Sequence, residues 1–197
     1  FPNPEIKEAM QLGMDYAKRL NADMLLATDP DCDRVGIAVK DDKGEYRLMT
    51  GNEVGLLLVD YICSRLIAAK KMPVNPTVIK TIVSTDLADA IAESYGAKTI
   101  SVLTGFKYIG EQIRLMEENG TGNYVFGMEE SYGCLPGTYA RDKDAPAAVV
   151  MLCEVAAYYK SKNMTLWDGM IEMYEKYGYY KEDIETLTLK GIDGAAQ

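Results

Sequence analysis

The stretch Thr28-Asp29-Pro30-Asp31-Cys32-Asp33-Arg34 places three carboxylates at alternate positions directly after the apolar run Met24-Leu25-Leu26-Ala27. Acids this close repel one another, and each disfavours ionisation of the next. A cation between them removes that penalty, and a hard divalent ion taking oxygen ligands at roughly 2.0–2.6 Å is the natural one. Asp29, Asp31 and Asp33 are therefore the candidate metal ligands. Pro30 fixes one φ in the loop. Arg34 closes it, and a second apolar stretch, Val35-Gly36-Ile37-Ala38-Val39, follows. The competing reading is a solvated acidic turn. An EF-hand loop also begins with acids at its positions 1, 3 and 5, but it needs Gly at 6 and Glu at 12. Those places hold Arg34 and Lys40, and strand-like flanks replace the two helices.

Three other stretches have the chemistry to meet a ligand. Thr104-Gly105-Phe106-Lys107 joins a predicted strand to a predicted helix. Its glycine permits close backbone approach, the helix start favours an anion, and Lys107 adds charge. Gly127-Met128-Glu129-Glu130-Ser131-Tyr132-Gly133 follows another strand, and carboxylates beside a hydroxyl suit the O–H groups of a sugar. Arg141-Asp142-Lys143-Asp144 precedes a helix for which Asp144 is the expected N-cap, with Pro146 in the first turn. Lys143 is left as a cation or proton donor. Asp31-Cys32-Asp33-Arg34-Val35 also fits the DxDx(T/V) pattern of haloacid-dehalogenase-type phosphatases, with Asp31 as nucleophile. The second acidic metal motif such an enzyme needs is not evident in the sequence.

The elements that must carry these stretches are legible from periodicity. Asn3-Pro4-Glu5 reads as an N-cap, an N1 proline and an acidic first turn, with an apolar stripe (Ile6, Met10, Met14, Ala17, Leu20) predicting a helix over 4–20. A strand over 23–28, a hairpin of 35–40 with 45–49, and a buried helix over 53–70 come next. After the proline-containing linker Met72–Pro76 come strand 77–83, helix 86–95, strand 98–103, helix 106–118 and strand 123–127. That alternation predicts a doubly wound α/β unit with right-handed crossovers. Helices 145–161 and 165–177 and a β-like segment over 185–189 complete the chain. The fold class is thus α/β: two consecutive layered units with mixed sheets flanked by helices, over 1–72 and 76–180, then a linker and the start of a further domain over 181–197.

With 197 residues, 48% of them hydrophobic, the chain can bury a substantial core. The net charge of −9 argues against nucleic acid or an anionic membrane as the main partner. Four scattered cysteines without a CxxC read as reduced thiols, hence a cytoplasmic protein. No apolar run is long enough to span a bilayer. There is no histidine.

A strand-borne TDPDxDR loop, then TGFK, GxEESxG and RDKD, in this order and at these element ends, resembles the α-D-phosphohexomutases, most of all their bacterial phosphoglucomutase and phosphopentomutase-like branch. The resemblance extends over essentially the whole chain, from Phe1-Pro2-Asn3-Pro4-Glu5 onward. It implies four domains around a cleft and phosphoryl transfer between sugar positions through a phosphoserine and a bisphosphorylated sugar. It also implies Mg²⁺ on Asp29, Asp31 and Asp33, with Arg34 neutralising charge on the moving phosphoryl group. Glu129, Ser131, Thr104, Gly105, Lys107 and Arg141 would meet the hexose phosphate, and Lys143 would assist proton transfer. One departure is informative: the family's nucleophile lies in a Ser-His loop, and this chain has no histidine. The expectation is the end of domain two, domain three and the first residues of domain four of a phosphoglucomutase, inactive without the missing N- and C-terminal domains. Phosphomannomutase or phosphopentomutase activity, the phosphatase, and a non-catalytic metal or sugar-phosphate binding module stand as alternatives.

Overall fold

A computed structural model describes residues 2–182. It contains two sheets. The first is antiparallel, in the order β1 (Met24–Thr28), β2 (Val35–Lys40) and β3 (Tyr46–Leu48). Helix α1 (Lys7–Leu20) covers one face of it. β2 is buried on both faces, and its alternation sorts the neighbours. Small residues face α1 and its lead-in, with Ala38 against Met10 and Met14 and Gly36 against Pro4. The branched residues Val35, Ile37 and Val39 face the main core.

That main core is shared with the second sheet, in the order β5 (Lys98–Val102), β4 (Pro76–Thr81), β6 (Asn123–Met128) and β7 (Cys134–Leu135). The first three strands are parallel and β7 is antiparallel. Helix α4 (Phe106–Asn119) packs on one face through Phe106, Ile109 and Ile113. Helices α2 (Gly51–Ala68), α3 (Leu87–Ser94), α5 (Ala145–Ser161) and α6 (Leu166–Tyr177) lie on the other side of the sheet. Helices on both faces of a parallel sheet are what the strand–helix alternation predicts. Docking of α5 and α6 onto the first sheet is driven by apolar burial. Val35, Ile37 and Val39 contribute about 1.5–3 kcal/mol each. The Lys160–Asp23 pair at 2.6 Å is largely exposed on both sides, so it adds at most about 1 kcal/mol.

Several boundaries differ from the sequence pattern for identifiable reasons. Helix α1 starts at Lys7 because Asn3 spends its side chain on a turn, its Oδ1 accepting from the Glu5 N–H at 2.9 Å. Glu5 therefore lies outside the helix, and Leu20 at the other end is exposed. Helix α2 starts at Gly51 because Thr50 and Glu53 form a reciprocal capping box. It packs on α3, β6 and α5, beyond the Met72–Pro76 linker. Asp144 caps α5 as expected, accepting from the Ala147 N–H at 2.9 Å. β7, two residues long, has no periodicity to find. The expected β-like segment 185–189 lies outside the described residues.

The N-terminus of α2 touches a loop between β6 and β7. A Cβ added to Gly51 would lie 2.0 Å from the Glu130 carbonyl oxygen, whereas one at Gly55 would meet only the flexible Met128 side chain. Gly51→Ala is therefore expected to lower unfolding free energy by about 1–3 kcal/mol. Gly55→Ala should cost clearly less in the same denaturant titration, because Met128 can rotate away.

Candidate active site

Both hairpin ends carrying the acidic motifs are tight loops with one left-handed residue, Cys32 (φ 58°) in the first and Tyr132 (φ 66°) in the second. In the first, Asp29 N–H donates to Arg34 O at 3.3 Å; in the second, Glu129 N–H donates to Gly133 O at 2.9 Å. The two loops are joined. Arg34 and Gly133 form an antiparallel bridge, and Val35 N–H donates to Tyr132 O at 3.1 Å. Ala145 N–H, at the start of α5, donates to Cys32 O at 3.1 Å and brings the Arg141–Asp144 turn to the same place.

Asp29 is 2% exposed and anchors the first loop. Its Oδ1 accepts from the N–H groups of Asp33 (3.1 Å) and Arg34 (3.0 Å), and its Oδ2 from Arg34 Nε at 2.7 Å. Burial works to raise its pKa. Hydrogen bonds from the Arg34 backbone and guanidinium and from Asp33 outweigh it, holding the carboxyl at about 2. Arg34 also reaches Glu5 Oε1 at 2.8 Å. Its guanidinium is thus committed largely to holding the loop and tying the lead-in of α1 to it. Asp33 is partly buried, and burial pushes its carboxyl up against the lowering effect of Lys143. Asp31 is exposed and has no hydrogen bond or ion pair among the described residues.

Oxygens from Asp29, Asp31 and Asp33 all lie within 4.8 Å of one another. Two ligands on one ion at roughly 2.0–2.6 Å are never further apart than about 5 Å, so the set fits a hard divalent cation. The donors are all carboxylate oxygens, which suits Mg²⁺, Mn²⁺ or Ca²⁺ and disfavours softer metals.

Lys143 links this cluster to the second loop. Its Nζ stands 3.0 Å from Asp33 Oδ2, 3.5 Å from Glu129 Oε1 and 3.3 Å from Asp142 Oδ1. Burial works to lower the lysine pKa, and these acids more than offset it. The side chain passes directly over Gly133, where a Cβ would lie 2.0 Å from Lys143 Cδ. Glu129 is 6% exposed, and burial raises its pKa. Ser131 lines an opening of about 440 Å³ with Glu5, Thr50, Asn52, Glu130 and Tyr132.

The remaining candidates are placed differently. The Thr104–Lys107 turn reaches the centre through Phe106, whose ring lies 5.8 Å from Lys143 Nζ. Gly105 adopts φ 109° and leaves α4 without a side-chain cap. Thr104 and Lys107 are exposed beside it. Arg141 turns away, donating to Glu117 Oε2 at 2.6 Å and to the Thr138 and Ala140 carbonyls. Glu5 and Phe106 were missed as site residues. Each sits inside a recognised motif, but only as a helix acid and a core aromatic.

Residues 50–177 match the family model for phosphoglucomutase/phosphomannomutase alpha/beta/alpha domain III, and residues 1–44 match that for domain II. The chain belongs to the phosphoglucomutase/phosphomannomutase family. It is 34% identical over 192 residues to a phosphoglucomutase of Staphylococcus aureus, a match covering 98% of this chain and 34% of the relative. It therefore spans about a third of the length of the curated relatives it matches. A phosphoglucomutase/phosphomannomutase family structure from Burkholderia thailandensis superposes with TM-score 0.67 at 18% identity, over 87% of this chain and 33% of that one. The N-acetylphosphoglucosamine mutase of Aspergillus fumigatus, in complex with GlcNAc-6P and magnesium, gives TM-score 0.56 at 14% identity, over 81% and 36%.

The different settings of the aspartates give a test. Asp29→Asn should lower stability by about 3 kcal/mol, since it removes the buried carboxylate among Arg34's partners and weakens the hydrogen bonds that close the loop. Asp31→Asn should leave the melting temperature unchanged while weakening Mn²⁺ binding in a calorimetric titration. Equal melting temperatures for the two variants would contradict the anchoring role of Asp29.

Proposed function

We propose that the polypeptide carrying this chain is a cytoplasmic, Mg²⁺-dependent phosphoglucomutase that interconverts glucose 1-phosphate and glucose 6-phosphate. The observation that carries the reading is the position of Lys143. One ammonium lies within 3.5 Å of both a metal-loop carboxylate and a sugar-loop carboxylate. A sugar hydroxyl held by Glu129 would therefore sit next to a phosphoryl group held at the aspartates. Family membership favours this over the aspartyl-phosphate phosphatase, and 34% identity over 98% of this chain to a named phosphoglucomutase supports glucose over mannose or pentose.

In this reading each side chain has a defined task. Asp29, Asp31 and Asp33 would hold a divalent cation, which would supply neutralisation of charge on the phosphoryl oxygens. Arg34 keeps Asp29 ionised and the loop closed. Glu129 accepts hydrogen bonds from sugar hydroxyls, and Ser131 completes their orientation. Lys143 donates its Nζ proton to the sugar oxygen as the O–P bond breaks, and in the reverse direction the neutral amine takes the hydroxyl proton as the O–P bond forms. Thr104, Gly105, Lys107 and the uncapped start of α4 offer N–H groups and a positive charge to the sugar phosphate that is not being transferred. Arg141 would need to leave Glu117 to take part. The phosphoryl carrier belongs to a Ser-His loop that these 197 residues, lacking histidine, do not contain. We further place the domain boundary between β3 and α2 rather than at the 72–76 linker, since α2 packs with the second sheet.

A coupled glucose 6-phosphate assay tests this directly. The intact polypeptide should turn over with added Mg²⁺, and Lys143→Met should lose about a hundredfold or more in kcat. This chain alone should show no turnover. Recovery of the covalent phosphate on Asp31 instead of a serine would sink the mutase in favour of the phosphatase.

A further inference from the structure

We propose that Glu130 is a positioning residue for the sugar loop, anchored by a buried hydroxyl chain at the end of β4. The inference rests on the role given above to Glu129 and Ser131 and adds the device that holds them.

Lys80, next to last in β4, is 1% exposed. A buried ammonium is tolerated only when oxygens take its protons. Here the Ser84 and Thr85 carbonyls do so at 3.2 Å each, with Asp86 Oδ1 at 2.8 Å and Asp89 Oδ2 at 3.1 Å. The lysine thereby folds the turn after β4 back over the strand end. This sets Ser84 beside Thr81, which is fully buried, with their hydroxyl oxygens 2.8 Å apart.

Thr81 has one hydroxyl proton and donates it to Glu130 Oε2 at 2.6 Å. The Ser84 hydroxyl is then the donor to Thr81. The chain runs Ser84 to Thr81 to Glu130, ending on a carboxylate, which strengthens the last bond. On the opposite side the Glu130 backbone is packed tightly on Gly51. Glu130 is held at both ends, and the residues flanking it are the two proposed to meet the sugar. Its carboxylate is the acceptor of an internal bond, which separates its task from that of Glu129.

The test uses the intact polypeptide and three measurements. Thr81→Val should raise KM for glucose 1-phosphate about tenfold while changing kcat less than about threefold, the scale of one lost hydrogen bond to a charged group. Thr81→Ser, which keeps the hydroxyl, should restore the parent value. In Thr81→Val, exchange of the Glu129 and Val35 amides, which donate to the loop carbonyls, should speed up while β5 amides keep their rates. A KM within twofold of the parent overturns the inference. So does unchanged exchange at Glu129 and Val35, or an equal acceleration in β5. If the unsubstituted protein turns over no hexose phosphate, the proposed function fails, and the exchange rates alone decide the anchoring.

Discussion

Two backbone contacts, the Arg34–Gly133 bridge and the bond from Val35 N–H to Tyr132 O, determine how the rest of this structure is used. They stitch the end of one hairpin to the end of another across two sheets. Because both loops are also closed on themselves, the stitch fixes the Asp29–Asp33 loop relative to the Glu129–Gly133 loop without any side chain. Side chains then differentiate the site. Arg34 locks Asp29, while Lys143 spans the seam. Charged groups held this way need no reorganisation to face one another, which is the condition under which electrostatic stabilisation is most effective.

The stitch also explains the glycines and left-handed residues around it. Cys32 and Tyr132 turn each chain sharply enough to bring the strand ends together. A residue other than glycine at 133 would occupy the space through which Lys143 runs. The charge balance follows the same economy. Acids crowd this corner, and two cations, Arg34 and Lys143, are distributed so that each bridges two or more carboxylates. Asp31 faces solvent with no ion pair among the described residues.

Much of this was legible in the sequence. The parallel sheet follows from apolar runs punctuated by Gly96 and Gly120. The α5 cap follows from Asp144 and Pro146, and the clustering of the three carboxylates from acid spacing alone. The start of α2 was also readable, since Thr50 and Glu53 have capping-box spacing. What was hidden is of two kinds. Contacts made by backbone, such as the bridge at Gly133, leave no side-chain signature. Contacts that join distant residues through a long side chain, such as Lys143 with Asp33, depend on which way that chain is bent. Arg141 illustrates the second kind in reverse. It sits two residues from Lys143, yet it is spent on Glu117 of α4.

Lys80 marks the limit of pattern reading most clearly. Within Val78-Ile79-Lys80-Thr81 a lysine is expected to face solvent by residue type, yet alternation puts it on the face of the buried Val78. The strand lies inside a sheet with helices on both faces, so no solvent face exists at that position. The ammonium must then be neutralised by oxygens from a nearby part of the chain, and the polar Ser84-Thr85-Asp86 segment supplies them. The segment between the expected strand 77–83 and helix 86–95 is thus forced to fold over β4, beside the loop that carries Glu129 and Ser131. The burial of one cation sets the place of the hydroxyl that grips Glu130. The geometry of the loop from Glu129 to Gly133 is in this way coupled to the core of the sheet beneath it.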